Sequence, residues 1–346
     1  IWAYYFYRMI SRAENVWMLV DSRTEGLKSG EESRYIKQLE YHFGLPLKRF
    51  TVQIDSMKTT QLPEVVKTED DIAKIKDTVL SATALQNYLA CPAKFYYTVI
   101  KGLQREEEVS ENLDAGMFGT IFHEVMQSLY TSEEAMAPDF FFDDREAARA
   151  LSPLKRITTA YIQSWRDREP AIRAKVRALI EHELNVAEVT GRNLVVTDVI
   201  VRYVMKTLQS DLQILQESGK DSFEILGREH RVGGTFHGFR FKGFIDRFDA
   251  FGSDEVRVVD YKTGRVLDDD IFIEDGNAEA IAMRIFEPDV KDRPKIALQF
   301  YIYDLLVQGR DEVKGRNLYN CVYSTSRLFG ELPVAVPVNK VFFDSV

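Results

Sequence analysis

The stretch Gly243-Phe244-Ile245-Asp246-Arg247-Phe248-Asp249, continued through residues 250–255 into Val256-Arg257-Val258-Val259-Asp260-Tyr261-Lys262-Thr263-Gly264, decides how this chain is read. Both runs are rich in β-branched and aromatic residues and flank a Gly252-Ser253-Asp254 turn, so they predict two strands of a hairpin. A hairpin centred on Ser253 pairs residues whose numbers sum to 506, which sets Asp246 opposite Asp260. Directly opposed Cβ atoms lie about 4.5–5.5 Å apart, and two carboxylates at that distance repel unless a cation sits between them. Alternation along the strand puts Lys262 on the face of Asp260 and turns Tyr261 to the other, leaving the Tyr261 carbonyl near the same edge. Oxygen ligands of this kind suit magnesium or manganese. An isolated Asp-x-Lys is as a rule a plain strand ion pair ended by a turn; the matched position of Asp246 is what points to chemistry.

That arrangement is what metal-assisted phosphodiester hydrolysis requires. A cation polarises a phosphoryl oxygen and lowers the pKa of a water, while a nearby ammonium, here Lys262, orients that water or steadies developing negative charge. His123 lies in the run 116–127, whose apolar stripe is Phe118, Phe122 and Val125, continuing to Leu129. At about 100° per residue His123 falls on the opposite face with Gly116, Gly119 and Gln127, so it is not placed as a core histidine. The glycines beside it would let another backbone, such as the acidic hairpin, approach closely. A lone histidine there is more often a surface residue; as a third ligand its imidazole would complete the carboxylate pair, with Glu124 as the nearest competitor. Gln299 and Tyr303 stand four apart on a helix expected over 296–307 and share a face. An amide and a phenol together can hydrogen-bond a phosphate or base edge, although an ordinary amphipathic helix would also place them so. Glu229 is a weaker candidate for a further acid near the metal.

Working outward, residues 223–232, 235–241, 243–250 and 256–261 read as short strands of an antiparallel meander. Residues 133–219 read as long-helical, divided only at Pro138, Pro153 and Pro170, and so as a helical insertion. Toward the N-terminus, Thr83 is expected to cap a short helix reaching residue 89, and Pro92 to open an aromatic-rich second one. Residues 55–78 turn to Lys, Thr, Asp and Glu, as a surface connector does. Before them, 2–11 reads as helix, 16–21 as strand and 33–43 as helix. After the hairpin, 266–292 holds nine acids against Arg284 and Lys291 and reads as an exposed excursion, with strands near 320–323 and 341–343 closing the chain. The expected fold is α/β, a small mixed β-sheet flanked by helices, with the helical insertion added.

With 346 residues, 45% hydrophobic and 29% charged, the chain can bury one large core or two modest ones. No run approaches the roughly 20 apolar residues of a membrane helix, and no charged-then-apolar leader opens the chain. Membrane and secretory readings are set aside, and a reducing, cytoplasmic home is the default. Cys91 and Cys321 cannot make a disulfide scaffold or fill a four-cysteine metal site. A net charge of -9 argues against coating nucleic acid by bulk electrostatics. A local track is still present: Lys155, Arg156, Arg166, Arg168, Arg173, Lys175 and Arg177 stand against only Asp167 and Glu169, either a strand path or a solvated helix face. An aromatic helical stretch directly after Ile1 is what a piece of a longer polypeptide would show.

Five segments, in order, resemble the PD-(D/E)XK nuclease superfamily and specifically the RecB/AddB-type nuclease domain of bacterial helicase-nucleases. They are the entry helices at 80–95 with Cys91 and Pro92, Gly119 to Glu124 around His123, Gly243 to Arg247, Val259 to Gly264, and Gln299 to Tyr303. The resemblance implies a restriction-endonuclease-like core over 80–346 with 133–219 inserted, preceded by a linker at 56–79. Residues 1–55 are similar, more loosely, to the end of a helicase-like domain, through Phe6 to Ala13. It further implies that His123, Asp246, Asp260 and the Tyr261 carbonyl bind Mg2+ or Mn2+, that Asp246, Asp260 and Lys262 are catalytic, and that Gln299 and Tyr303 position DNA. Iron-sulfur members would need three further cysteines beyond Tyr303 where only Cys321 occurs, so no cluster is expected here unless cysteines lie past Val346. The implied activity is magnesium-dependent deoxyribonuclease action on DNA ends or single strands in recombination and double-strand break repair, alongside a helicase subunit or domain. The alternative is a non-catalytic DNA-end binding or assembly module.

Overall fold

In the computed structural model the strands Phe239–Ala250 and Glu255–Lys262 pair antiparallel, with Arg247 facing Val259, Phe248 facing Val258, Asp249 facing Arg257 and Ala250 facing Val256. Each pair sums to the register expected for a turn centred on Ser253. The structure describes residues 2–20, 32–50, 66–103, 112–288, 290 and 292–346. Its contacts divide the chain into two units, Ile1–Val65 and Val66–Val346.

The first unit contains α1 (Trp2–Ile10) and α2 (Arg34–Lys37), the latter capped by the Ser33 hydroxyl and continued by a π-helical turn, Gln38–His42. The strand expected over 16–21 is absent at 16–20, where Trp17 and Leu19 are 78% and 98% exposed and no ladder is offered for pairing. Residue 21 lies outside the described residues.

The second unit opens with α3 (Glu69–Asp77), where a connector was expected. Thr68 and Asp71 form a capping box, and Asp71 is buried against Lys101 and the Tyr96 hydroxyl, which fixes this polar stretch as a helix. Strand β1 (Val79–Leu80) precedes α4 (Ala82–Ala90), which Ser81 caps in place of Thr83, and α5 (Pro92–Phe95) starts at Pro92 as expected. Then come α6 (Ala115–Thr131), α7 (Arg145–Ala150), β2 (Arg156–Thr158), α8 (Thr159–Arg166), α9 (Glu169–Leu184) and α10 (Arg192–Glu217). Strands β3 (Ser222–Phe236), β4 (Phe239–Ala250) and β5 (Glu255–Lys262) follow, then α11 (Ala278–Phe286), α12 (Lys295–Val307), β6 (Asn317–Ser324), β7 (Ala335–Pro337) and α13 (Lys340–Ser345).

Three local expectations change. Residues 235–241 are not a strand but the tip of one long hairpin, because His237 and Gly238 both take positive φ and close a two-residue turn of the hand that suits twisted strands. Residues 266–292 are not an exposed loop: α11 buries Ala278, Ile281, Ala282 and Ile285, an apolar face that the surrounding acids conceal in composition. Residues 341–343 lie in α13, since the Asn339 side chain accepts the Phe342 N–H at 2.8 Å and starts a helix.

The sheet has the order β2-β3-β4-β5-β6-β7, with β1 beside β4. It is mostly antiparallel; β5 with β6 and β1 with β4 are the parallel pairs. The parallel step from β5 to β6 needs a crossover, which α11 and α12 supply. Helices α6, α8, α9 and α10 cover one face over Val259, Tyr261 and Tyr323, and α4, α11, α12 and α13 cover the other over Phe248, Val256 and Val258. The result is a mixed α/β fold, helices on both faces of one sheet. No helix among the described residues is long and apolar enough to cross a membrane.

Candidate functional site

The ladder between β4 and β5 stops one step short of the two aspartates, and there the Asp246 carboxylate takes the Tyr261 N–H at 2.7 Å in place of a backbone carbonyl. Asp260, 1% exposed, points to α12, where Gln299 Nε2 donates to its Oδ1 at 2.9 Å and to the Tyr303 hydroxyl at 2.8 Å. Lys262 Nζ lies 2.7 Å from Asp260 Oδ2, an ion pair at hydrogen-bonding distance. Tyr261 turns to the opposite face, as alternation requires, and its hydroxyl receives a hydrogen bond from Arg247.

Helix α6 brings His123 to the same edge. Nε2 lies 2.9 Å from the Tyr261 carbonyl and Nδ1 3.5 Å from Asp246 Oδ2. The close approach depends on Gly119, where a Cβ would lie 3.2 Å from the Thr263 hydroxyl oxygen; at Gly116 the only such contact is with its own cap, Asp114. Glu124 is not a competitor, because it turns toward residues 142–143 and Lys175 and its oxygen sits 3.5 Å from the Phe142 N–H.

Glu229 is the residue that sequence reasoning undervalued. The flanking pairs Arg228 with Arg247 and His230 with Ile245 put Glu229 across from Asp246. It adopts φ +41, a left-handed conformation that costs a residue with a Cβ on the order of 1 kcal/mol. The kink brings its carboxylate, with His123 and Asp246, into a group whose ligand atoms all lie within 4.8 Å of one another. Only its cross-strand position, one hairpin further out, could have signalled this.

The electrostatics record crowded negative charge. Burial together with Asp246 pushes Glu229 up to about 7 despite His123. Burial also raises Asp260, with Lys262 pulling the other way. His123 is drawn down by burial yet ends at about 8, because the hydrogen bond and charge of Asp246, with Asp260 and Glu229, outweigh it. Lys262 is raised: burial disfavours its charge, and Asp260 and Asp246 more than restore it. Acids held above their usual range by burial and by neighbouring carboxylates, with an imidazole and the Tyr261 carbonyl beside them, are a donor set that fits a hard divalent cation.

The basic track over 155–177 is not a row of free cations. Arg156 pairs with Asp221, Arg168 with Glu133, and Arg173 with Asp198 and Glu169, while Lys175 is buried against the carbonyls of Ala137 and Phe140. Cys91 stands between α4 and α5, and Cys321 is buried in β6.

A family model described as the PD-(D/E)XK nuclease superfamily matches residues 79–319. A search of the curated proteins returns no match.

Proposed function

The chain belongs to the PD-(D/E)XK nuclease superfamily, and from that premise we propose that it is a magnesium-dependent deoxyribonuclease. The observation that carries this is the meeting of Asp246, Asp260, Lys262, His123 and Glu229 at the edge where β4 leaves β5. His123, Asp246, Asp260 and the Tyr261 carbonyl would hold the cation, with Glu229 as an added ligand or second acid. Mg2+ or Mn2+ bound there supplies a polarised phosphoryl oxygen and a more acidic water. Gln299 and Lys262 fix the Asp260 carboxylate, each holding one of its oxygens. Lys262, kept charged by Asp260 and Asp246, places an ammonium where it can orient the attacking water or neutralise charge on phosphorus. Tyr303, bonded to Gln299, completes a polar wall for the strand being cut.

Within the superfamily we propose a RecB/AddB-type nuclease working beside a helicase subunit or domain in recombination and double-strand break repair in the cytoplasm. The five segments in family order support this, as does the division of the chain into units Ile1–Val65 and Val66–Val346. The test is cleavage of labelled single- and double-stranded DNA with magnesium, manganese or chelator, comparing wild type with Asp260→Ala and Lys262→Ala. Metal-dependent cutting lost in both variants is expected. A folded wild type that binds manganese and DNA without cutting overturns the enzyme in favour of a DNA-end binding module.

A further inference from the structure

Beyond the acids, the β3–β4 hairpin carries a chemistry unlike the rest of the chain. Residues 230–245 hold Arg231, Arg240 and Lys242 and no Asp or Glu, in a protein of net charge -9. The inner face of this ribbon is settled by packing. Val232 and Ile245 are buried with α12, and Gly243 lies so close that a Cβ would stand 2.6 Å from the Tyr303 ring. Alternation then turns Phe244 and Lys242 outward, and the register sets Arg231 opposite Phe244 and Gly233 opposite Lys242. Phe244 is 47% exposed, and among the described residues neither Arg231 nor Lys242 has an ion-pair partner. Arg240 is turned aside to the Asp77 carbonyl. Two residues of strand separate Phe244 from Asp246, about 7 Å of backbone.

Resting on the nuclease function proposed above, we infer that this outer ribbon face guides an unpaired DNA strand into the site, with a base stacked on Phe244 and phosphates held by Arg231 and Lys242. The charge is complementary to a polyanion that the acidic remainder of the chain repels. The aromatic ring beside the acids favours single strands, because a base within a duplex has no free face to stack on a side chain.

The experiment is binding of a fluorescent single-stranded oligonucleotide, and of its duplex, in chelator across a salt series, with thermal melting confirming that each variant is folded. Phe244→Ala is expected to weaken single-strand binding by roughly tenfold, Phe244→Trp to restore it, and the duplex to change little. Replacing both Arg231 and Lys242 with Gln is expected to reduce the slope of log affinity against log salt by about 1.4, two phosphate contacts on a single strand. Affinity and slope unchanged in folded variants would overturn the inference, as would duplex binding that falls as much as single-strand binding in Phe244→Ala. The two proposals fail separately. Cleavage that persists in Asp260→Ala sinks the assigned site while the binding result stands, whereas wild-type KM in the ribbon variants sinks the strand path and leaves the nuclease intact.

Discussion

At the scale of single residues, Glu229 shows how the candidate site is built at the expense of stability. Its carboxylate crowds Asp246 and His123, and its backbone sits at φ +41. Two consequences can be measured. Glu229→Gly should be more stable to urea than Glu229→Ala by about 1 kcal/mol, since glycine alone takes that conformation without strain. Glu229→Gln should raise the melting temperature in chelator by relieving repulsion, and shrink the further rise that manganese gives; an unaltered manganese response would remove Glu229 from the ligand set. This residue was weak in the sequence because its relation to Asp246 passes through a second hairpin. Asp246 and Asp260 were legible because one short turn relates them.

At the scale of elements, helix α12 has two working faces. Gln299 and Tyr303 face the acids, and Asp304, 2% exposed, faces β6, where it accepts from Asn320 Nδ2 at 2.9 Å. Burial lifts Asp304 to about 8, opposed by that hydrogen bond. Its folded value lies above the ordinary 3.8, so the folded state retains a proton that the unfolded chain has lost. Stability is therefore full below about pH 4 as far as this group is concerned and falls as pH rises toward 8, by at most about 1.4 kcal/mol per unit. Asp304→Asn should flatten that slope in urea titrations between pH 5 and 8, while an identical slope would mean that Asp304 is ionised in the fold. Close approach is the other element-scale constraint. Gly119→Val should push α6 away from Thr263 and lower cleavage while the chain stays folded, which activity and melting measured together would show. Glycines near His123 could be named from sequence; that Gly119 rather than Gly116 meets the turn could not, because that depends on how α6 docks on the sheet.

At the scale of the whole molecule, one buried network joins the helical layer to the site. Arg247, 1% exposed, donates to Asp211 of α10 at 2.9 Å, to Asp249 at 2.9 Å and to the Tyr261 hydroxyl at 2.9 Å. Tyr130 of α6 and Tyr323 of β6 bond the same Asp211. Arg247 and Tyr261 each adjoin an acid of the site, so α6, α10, β4, β5 and β6 are held in one arrangement. Arg247 and Arg257 are balanced by Asp211 and Asp249, so Asp211→Ala leaves two buried guanidiniums sharing one carboxylate and should cost about 3–5 kcal/mol in urea unfolding; a loss under about 1 kcal/mol would contradict the network. By itself, the sequence determined what short-range chemistry controls. Alternation and a turn around Ser253 set the acidic hairpin's register, the 3.6-residue period turned His123 off its apolar stripe, and spacing of four put Gln299 and Tyr303 on one face. Only the tertiary structure decided what depends on distant partners. It paired Arg156, Arg168 and Arg173 of the basic track with acids distant in sequence, buried α11 beneath its charges, recruited Glu229 across a kinked ribbon, and locked Arg247 to Asp211 from 36 residues away. Ion pairs and burial are properties of surfaces brought together, and no local pattern encodes which surfaces will meet.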